Sequence, residues 1–207
     1  MRQHEMKSNQ QTANAMMSPT FPADFAFPQR LAARVQTVAH HLAVGCERPL
    51  YCSFSVVLNG EELVIPRRVY YDSERLLAAT RADGIDGLIT LCLGTRHHDG
   101  FVREACVRRL LGLREDWTIP FVVQLVGEYV SQIVAVIEAA LPALDAAAYG
   151  AFLRENPRFF ATTERRVISY WYAYEQTGYR KRGEEPGSRV IAAFKRMAAS
   201  NCPMPPS

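Results

Sequence analysis

The sequence predicts a mainly α-helical domain that carries one β-hairpin. Three observations indicate this fold class. From residue 72 onward, apolar residues recur at helical spacing. One stretch, LYCSFSVVLNGEELVIPRRVYYD, is rich in β-branched and aromatic residues and is centred on Asn59-Gly60, a strong signal for a hairpin turn. The 207 residues are 48% hydrophobic and 22% charged, which is typical of a globular domain with its own core.

The predicted boundaries are a disordered N-terminal arm over 1–22, one helical domain over 23–200 and a Pro-rich tail over 201–207. The arm is polar and lacks the apolar segment of a secretory signal. The five cysteines form no CxxC pair and their number is odd, so reduced thiols are expected. We therefore expect a cytoplasmic protein without a cofactor.

The first helix is predicted from about Pro28 to Gly45, because four apolar residues share one of its faces: Leu31, Val35, Val38 and Leu42. The hairpin follows at 50–71. With Asn59-Gly60 as its turn, the register places Leu58 opposite Glu61, Val56 opposite Leu63 and Phe54 opposite Ile65. A two-stranded hairpin is marginally stable alone, so we expect it to pack on the helices.

The stretch Ile119–Leu141 is the longest apolar one, and it is predicted to be a single buried helix at the centre of the domain. Polar residues interrupt it at spacings of four, three and seven, which places them in one narrow stripe: Gln124, Glu128, Ser131 and Glu138. Charged residues near the middle of a bilayer cost about 2.5 kcal/mol or more each, so we expect no membrane span.

The segment LITLCLGTRHHDGFVREACVRRLLGL, residues 88–113, predicts two helices joined by a polar turn, TRHHDG. Gly94 suits the end of the first helix, where a left-handed residue is often needed. Asp99 suits the start of the second, where its carboxylate accepts a backbone N–H. The second helix carries the pattern D-x-x-V-R-x-x-A, which is formed by Asp99, Val102, Arg103 and Ala105.

These 26 residues resemble one HEAT repeat, with an apolar first helix that contains Leu91 and Leu93 and a second that contains Leu110. The resemblance implies HEAT-like helix pairing and a non-enzymatic scaffold that binds a protein partner. Four residues of the turn and the following helix are the candidate contacts: Arg96, His97, His98 and Arg103.

An alternative interpretation of the turn is enzymatic. His98-Asp99 is similar to the His-Asp dyad of the HD phosphohydrolases, which would imply His40 or His41 as a first metal ligand and Asp145 as a last one. Imidazole and carboxylate ligands from separate helices can hold a divalent ion that activates water. A lone HD dipeptide is a weak signal for this chemistry.

The second candidate surface is the segment 154–182. It contains seven basic and three acidic residues, a balance of +4, interleaved with aromatic rings. Basic groups beside rings are typical of single-strand nucleic-acid binding, and also of protein interfaces rich in Tyr, Trp and Arg. The predicted contacts are Arg165, Arg166, Tyr172 and Arg180, on a helix expected to begin at Thr162 or Thr163.

The interpretation that the sequence favours is a cytoplasmic scaffold or adaptor protein that binds a protein partner and is not an enzyme. Nucleic-acid binding through 154–182 and HD-type metal-dependent hydrolysis are the alternatives. No catalytic residue, metal ligand or cofactor is assigned. The chain has neither a G-x-S-x-G elbow nor a Gly-rich phosphate loop.

Overall fold

The computed structural model describes residues 23–43, 52–128, 130–175 and 185–200. The predicted arm, the predicted tail and Arg180 lie outside these ranges. The described part contains one hairpin and these α-helices: α1 Ala32–Ala43, α2 Ser73–Ala79, α3 Gly84–Gly94, α4 Gly100–Leu110, α5 Ile119–Val126, α6 Ser131–Ala140, α7 Ala146–Glu155, α8 Pro157–Glu175 and α9 Pro186–Ser200. Short 3-10 turns lie at Ala23–Ala26, Gln29–Leu31, Asp116–Thr118 and Leu141–Ala143. The mainly α-helical fold class is confirmed.

The hairpin has the predicted register. Strand β1, Ser53–Leu58, pairs antiparallel with β2, Glu61–Pro66, and Leu58 lies opposite Glu61. Asn59 and Gly60 have φ angles of 54° and 82°, the left-handed conformation that a two-residue turn of the I′ type requires. The turn residues therefore determine which face of the hairpin is apolar.

The outer edge of β1 is covered by α7 and the residue that follows it. The side-chain amide of Asn156 accepts from Val57 N at 2.7 Å and donates to Val57 O at 2.6 Å, as a neighbouring strand would. The carboxylate of Glu155 accepts from the backbone N–H groups of Asn59 and Gly60. These bonds satisfy an edge that would otherwise be open to pairing with another chain.

Gly94 allows α3 and α4 to pack closely, and the predicted left-handed cap at this residue is wrong. Gly94 is helical and does not have a positive φ. A Cβ at this position would lie 2.3 Å from Cys106 Sγ of α4 and 3.1 Å from Leu76 Cδ2 of α2. The glycine is required because it has no side chain, and not because of its backbone freedom.

The predicted single central helix over 119–141 is also wrong, because it is divided into α5 and α6. All eight residues of α5 are buried, so the expected central position holds for this half. The break begins at Gly127, where a Cβ would lie 3.3 Å from Thr163 Cγ2 and from Arg166 Cδ of α8. The next residue, Glu128, is buried in an ion cluster.

Within the described ranges, no single helix is long and apolar enough to cross a membrane. The segments 131–143 and 146–155 meet the criteria of length and composition only when they are taken together, and they are bent by 120° with respect to each other.

Replacing Gly94 with alanine is expected to destabilise the protein. The new Cβ overpacks the contact with Cys106, which costs about 1–3 kcal/mol of unfolding free energy, to be measured by denaturant titration. The matched control is Gly112→Ala, because a Cβ there would approach other atoms no closer than 3.6 Å. Adding Cys106→Ala to Gly94→Ala should restore part of the lost unfolding free energy, because the Sγ atom that the new Cβ meets is removed. If the double variant recovered none of it, the proposed clash would be contradicted.

Candidate functional site

The TRHHDG turn is held by an extended segment that follows the hairpin. Val69 N donates to Arg96 O at 2.9 Å, and His98 N donates to Val69 O at 3.0 Å, so this segment runs parallel to the turn. Val69 is fully buried. The backbone of the turn is therefore fixed on one side by a short β-bridge.

Asp99 ends the turn and begins α4, as predicted. Its carboxylate accepts from Phe101 N at 2.8 Å. Its own backbone N–H donates to His97 Nδ1 at 3.1 Å. Asp99 thereby caps the helix and orients the histidine ring.

His97 is fully buried, and its two ring nitrogens have different partners. Nδ1 accepts from Asp99 N, so the neutral ring carries its proton on Nε2, which lies 2.8 Å from Tyr71 O and donates to it. Burial lowers the pKa of His97, although the bond to Tyr71 partly opposes this. His97 is thus a neutral structural residue that joins the turn to the segment after the hairpin.

The centre of the site is a cluster of three arginines around Glu128. Arg68 bonds both carboxylate oxygens, at 2.9 and 3.1 Å, and Arg96 Nη2 donates to Oε1 at 2.7 Å. Arg103 Nε lies 3.2 Å from Oε2 in an ion pair, while its Nη1 donates to the carbonyls of His97 and His98. Both Glu128 and Arg96 are buried, and the side chain of Arg68 is 35% exposed. Three guanidinium groups therefore share one carboxylate.

The charges of the cluster shift its pKa values. Burial alone would raise the pKa of Glu128, but Arg96, Arg68 and Arg103 outweigh this effect, so the pKa lies below its ordinary value. Burial lowers the pKa of Arg96, and Glu128 opposes that change. An arginine side chain keeps its proton in proteins, so the cluster carries a net charge of +2.

Of the predicted contacts at the turn, the structure places only His98 at the surface. Arg96, His97 and Arg103 are buried at 6% exposure or less, so the expectation that their side chains form a contact surface is corrected. They were predicted as contacts because long polar side chains are usually exposed, whereas here Glu128 and backbone carbonyls bind them inside the protein. His98 is exposed and its ring stacks on Tyr70, with centroids 5.3 Å apart.

Phe101, which was not predicted as a contact, is 83% exposed in the first turn of α4. The signal was present in the spacing, because Phe101, Glu104 and Arg108 lie at helical intervals on one face, and the buried residues Val102 and Cys106 lie on another. Phe101 follows the exposed His98 by three residues. An exposed aromatic ring therefore lies beside the turn.

In the second candidate segment, helix α8 begins at Pro157 and not at Thr162 or Thr163. Both threonines lie inside the helix and donate to carbonyls four residues earlier, so the predicted cap is wrong. Pro157 is favoured in the first turn because its missing N–H has no helical partner there.

The candidate contacts of α8 that the structure describes are near its solvent face. Arg165 is exposed and donates to Thr162 Oγ1, Arg166 is half-buried, and Tyr172 is 53% exposed. Val167 and Trp171 are buried. Fewer rings are therefore available for base stacking than the sequence offers.

The residues of the HD-type alternative serve as caps and surface groups. Asp145 accepts from Ala147 N and Ala148 N at the start of α7, as Asp99 does at the start of α4. The described residues contain no group of three or more His, Cys, Asp or Glu residues that could hold a metal ion. The ligand set that this alternative requires, including His40 or His41, is not brought together.

Comparison of the chain with protein-family models, with curated proteins and with solved structures found no match in any of the three. The resemblance of residues 88–113 to a HEAT repeat therefore stays a prediction. Contacts, burial and charge in the described residues are the basis for proposing a function.

Replacing Glu128 with glutamine is expected to destabilise the protein strongly, because three buried or half-buried arginines lose their common carboxylate. Breaking a buried ion pair on one side costs about 3–5 kcal/mol, measured as the free energy of unfolding at pH 7. The control is Glu104→Gln, which breaks the surface pair with Arg108 and should cost under about 1 kcal/mol. Equal losses in the two variants would contradict the role of the cluster.

The destabilisation caused by Glu128→Gln is expected to depend on pH. A depressed pKa means that the contribution of Glu128 is fully present above its unfolded pKa of about 4.3 and is lost as the pH falls through the folded value. The difference in unfolding free energy between the wild type and Glu128→Gln should therefore shrink as the pH falls below about 5. A constant difference down to acid unfolding would oppose this prediction.

Replacing Asp99 with alanine is expected to cost about 1 kcal/mol of unfolding free energy, because the cap of α4 is lost. The control is Asp83→Ala, since Asp83 precedes α3 in the cap position but makes no side-chain cap bond. Metal analysis of the same proteins tests the HD-type alternative. Stoichiometric metal in the wild type that disappears in Asp99→Ala would support that alternative and contradict a purely structural cap.

Proposed function

We propose that this chain is a non-enzymatic scaffold or adaptor protein of the cytoplasm that binds a protein partner through the exposed side of the TRHHDG turn. The observation that carries this proposal is Phe101, a phenyl ring 83% exposed three residues after His98. Exposing an aromatic ring costs hydrophobic free energy, and such rings are typical anchors of protein interfaces.

The rigidity of the turn supports a binding role. Arg103 bonds two of its carbonyls, Asp99 caps the following helix, and His97 is fixed between Asp99 and Tyr71. A surface that is already ordered loses little conformational entropy when a partner binds. The buried residues of the turn would thus act by positioning His98 and Phe101.

The environments of Cys92 and Cys106, which are both buried, support a role without nucleophilic catalysis at either thiol. Burial raises the pKa of Cys106 to about 12, and burial also raises the pKa of Cys92 well above its ordinary value. A thiol with a raised pKa is a poor nucleophile. Both residues lie on the packed faces of α3 and α4, the pair that we propose is HEAT-like.

Replacing Phe101 with alanine is expected to weaken partner binding by about 30-fold in Kd, which corresponds to the loss of an anchor worth about 2 kcal/mol. The partner is first captured from lysate by the wild-type protein and identified, and its Kd is then measured by calorimetry. Phe25→Ala is the matched control, because Phe25 is 57% exposed at a different site, near the start of α1. His98→Ala should weaken binding to a smaller extent.

The capture is repeated after nuclease treatment, because the alternative through 154–182 predicts a nucleic-acid ligand. A protein that survives nuclease and is lost with Phe101→Ala supports the proposal. The same proteins captured by the wild type and Phe101→Ala would contradict it. Material that nuclease removes, and that Arg165→Glu with Arg166→Glu no longer captures, would favour nucleic-acid binding.

A further inference from the structure

The ion cluster is unbalanced in charge. Among the described residues, Glu128 is the single carboxylate that the three arginines pair with directly, and both of its oxygens are already engaged by them. The charge of Asp99 acts on Arg103 without an ion pair. Glu128, Arg96 and Arg103 are each at most 7% exposed and together carry a charge of +1, and Arg68, whose side chain is 35% exposed, adds a second positive charge beside them. Because charge is costly to bury without a partner, this excess favours a bound counter-charge.

Arg96 also has an unused donor. Its Nε and Nη2 donate to Thr95 O, and Nη2 also donates to Glu128. Its Nη1 is buried and has no hydrogen-bond partner in the part of the chain that the structure describes. Buried donors are nearly always bonded in proteins, so Nη1 is a donor at which the acceptor atom of a ligand can bind.

Arg68 connects the cluster to solvent. Its side chain is 35% exposed, whereas that of Arg96 is fully buried, and both bond the same oxygen of Glu128. Because Arg68 Nη1 and Arg96 Nη2 lie 2.9 and 2.7 Å from that one oxygen, an anion bound at Arg68 also lies near Arg96 and the excess positive charge. The planar guanidinium fork matches carboxylate and phosphate oxygens, which supply the acceptors that arginine lacks.

We propose that the cluster is a binding site for a small oxyanion, either a phosphate or a carboxylate, with Arg96 Nη1 as its buried donor and Arg68 as its donor at the surface. The anion neutralises part of the excess charge beside Glu128. This site is distinct from the exposed surface at Phe101, and the proposal does not rest on the proposed function. Because the cluster joins four separate segments of the chain, an occupied site stabilises the fold.

The test is thermal unfolding of the full chain in inorganic phosphate, in acetate and in chloride at equal ionic strength. At a ligand concentration ten times Kd, a protein of this size is expected to gain about 3 to 6 °C in Tm over the chloride series. A saturable gain in phosphate identifies a phosphate site, and a gain in acetate alone identifies a carboxylate site. No saturable gain over chloride in either anion would overturn the proposal.

Arg68→Gln is the decisive variant, and it should lose the anion-specific gain. The control is Arg108→Gln, which also removes an arginine from a glutamate pair but lies on the exposed face of α4, and it should keep the gain. If Arg68→Gln does not fold, Arg68→Lys replaces it, because lysine keeps the positive charge but lacks the planar guanidinium fork. The Kd of this variant for the anion is expected to rise about tenfold. If a variant at Arg68 showed the same gain in Tm and the same anion affinity as the wild type, the proposal would be overturned, because the anion would then bind elsewhere.

Discussion

The carboxylate of Glu128 is the point where four separate segments of the chain meet. Arg68 comes from the segment after the hairpin, Arg96 from the turn between α3 and α4, and Arg103 from α4, while Glu128 itself lies at the break between α5 and α6. A charge removed from water is stable only with its partners in place, so other arrangements of these segments would leave arginine or glutamate charges unpaired. The cluster thus selects one arrangement of the helices around a hydrophobic core that by itself is not directional.

The TRHHDG turn shows how one polar motif divides its residues between structure and surface. Arg96 and His97 are directed inward, to Glu128 and to Tyr71 O, and Asp99 caps the next helix. His98 alone of the paired histidines is exposed. The polar character of the turn is therefore mostly a requirement of the fold, and the surface available for binding is the smaller part made by His98 and Phe101.

Local signals predicted the structure where neighbours in sequence supply the physical cause. The Asn59-Gly60 turn set the hairpin register because the two turn residues favour the left-handed conformation themselves, and Asp99 capped α4 because its carboxylate needs only the next N–H groups. The same kind of signal failed at Gly94 and at Thr162 or Thr163. Gly94 is needed for close packing of α3 against α4 and does not cap a helix. Thr162 and Thr163 lie within α8, which begins at Pro157.

The sequence by itself determined the fold class, the hairpin and its register, and the Asp99 cap of α4, because these depend on residues within a few positions of one another. The tertiary structure alone decided which polar residues are buried. Glu128 lies 60 positions from Arg68 and 32 from Arg96, and no periodic pattern encodes a contact across such separations. For this reason the burial of Arg96 and Arg103 could not be predicted from the sequence. The exposure of Phe101 could not be predicted either, because it depends on which face of α4 the other helices cover.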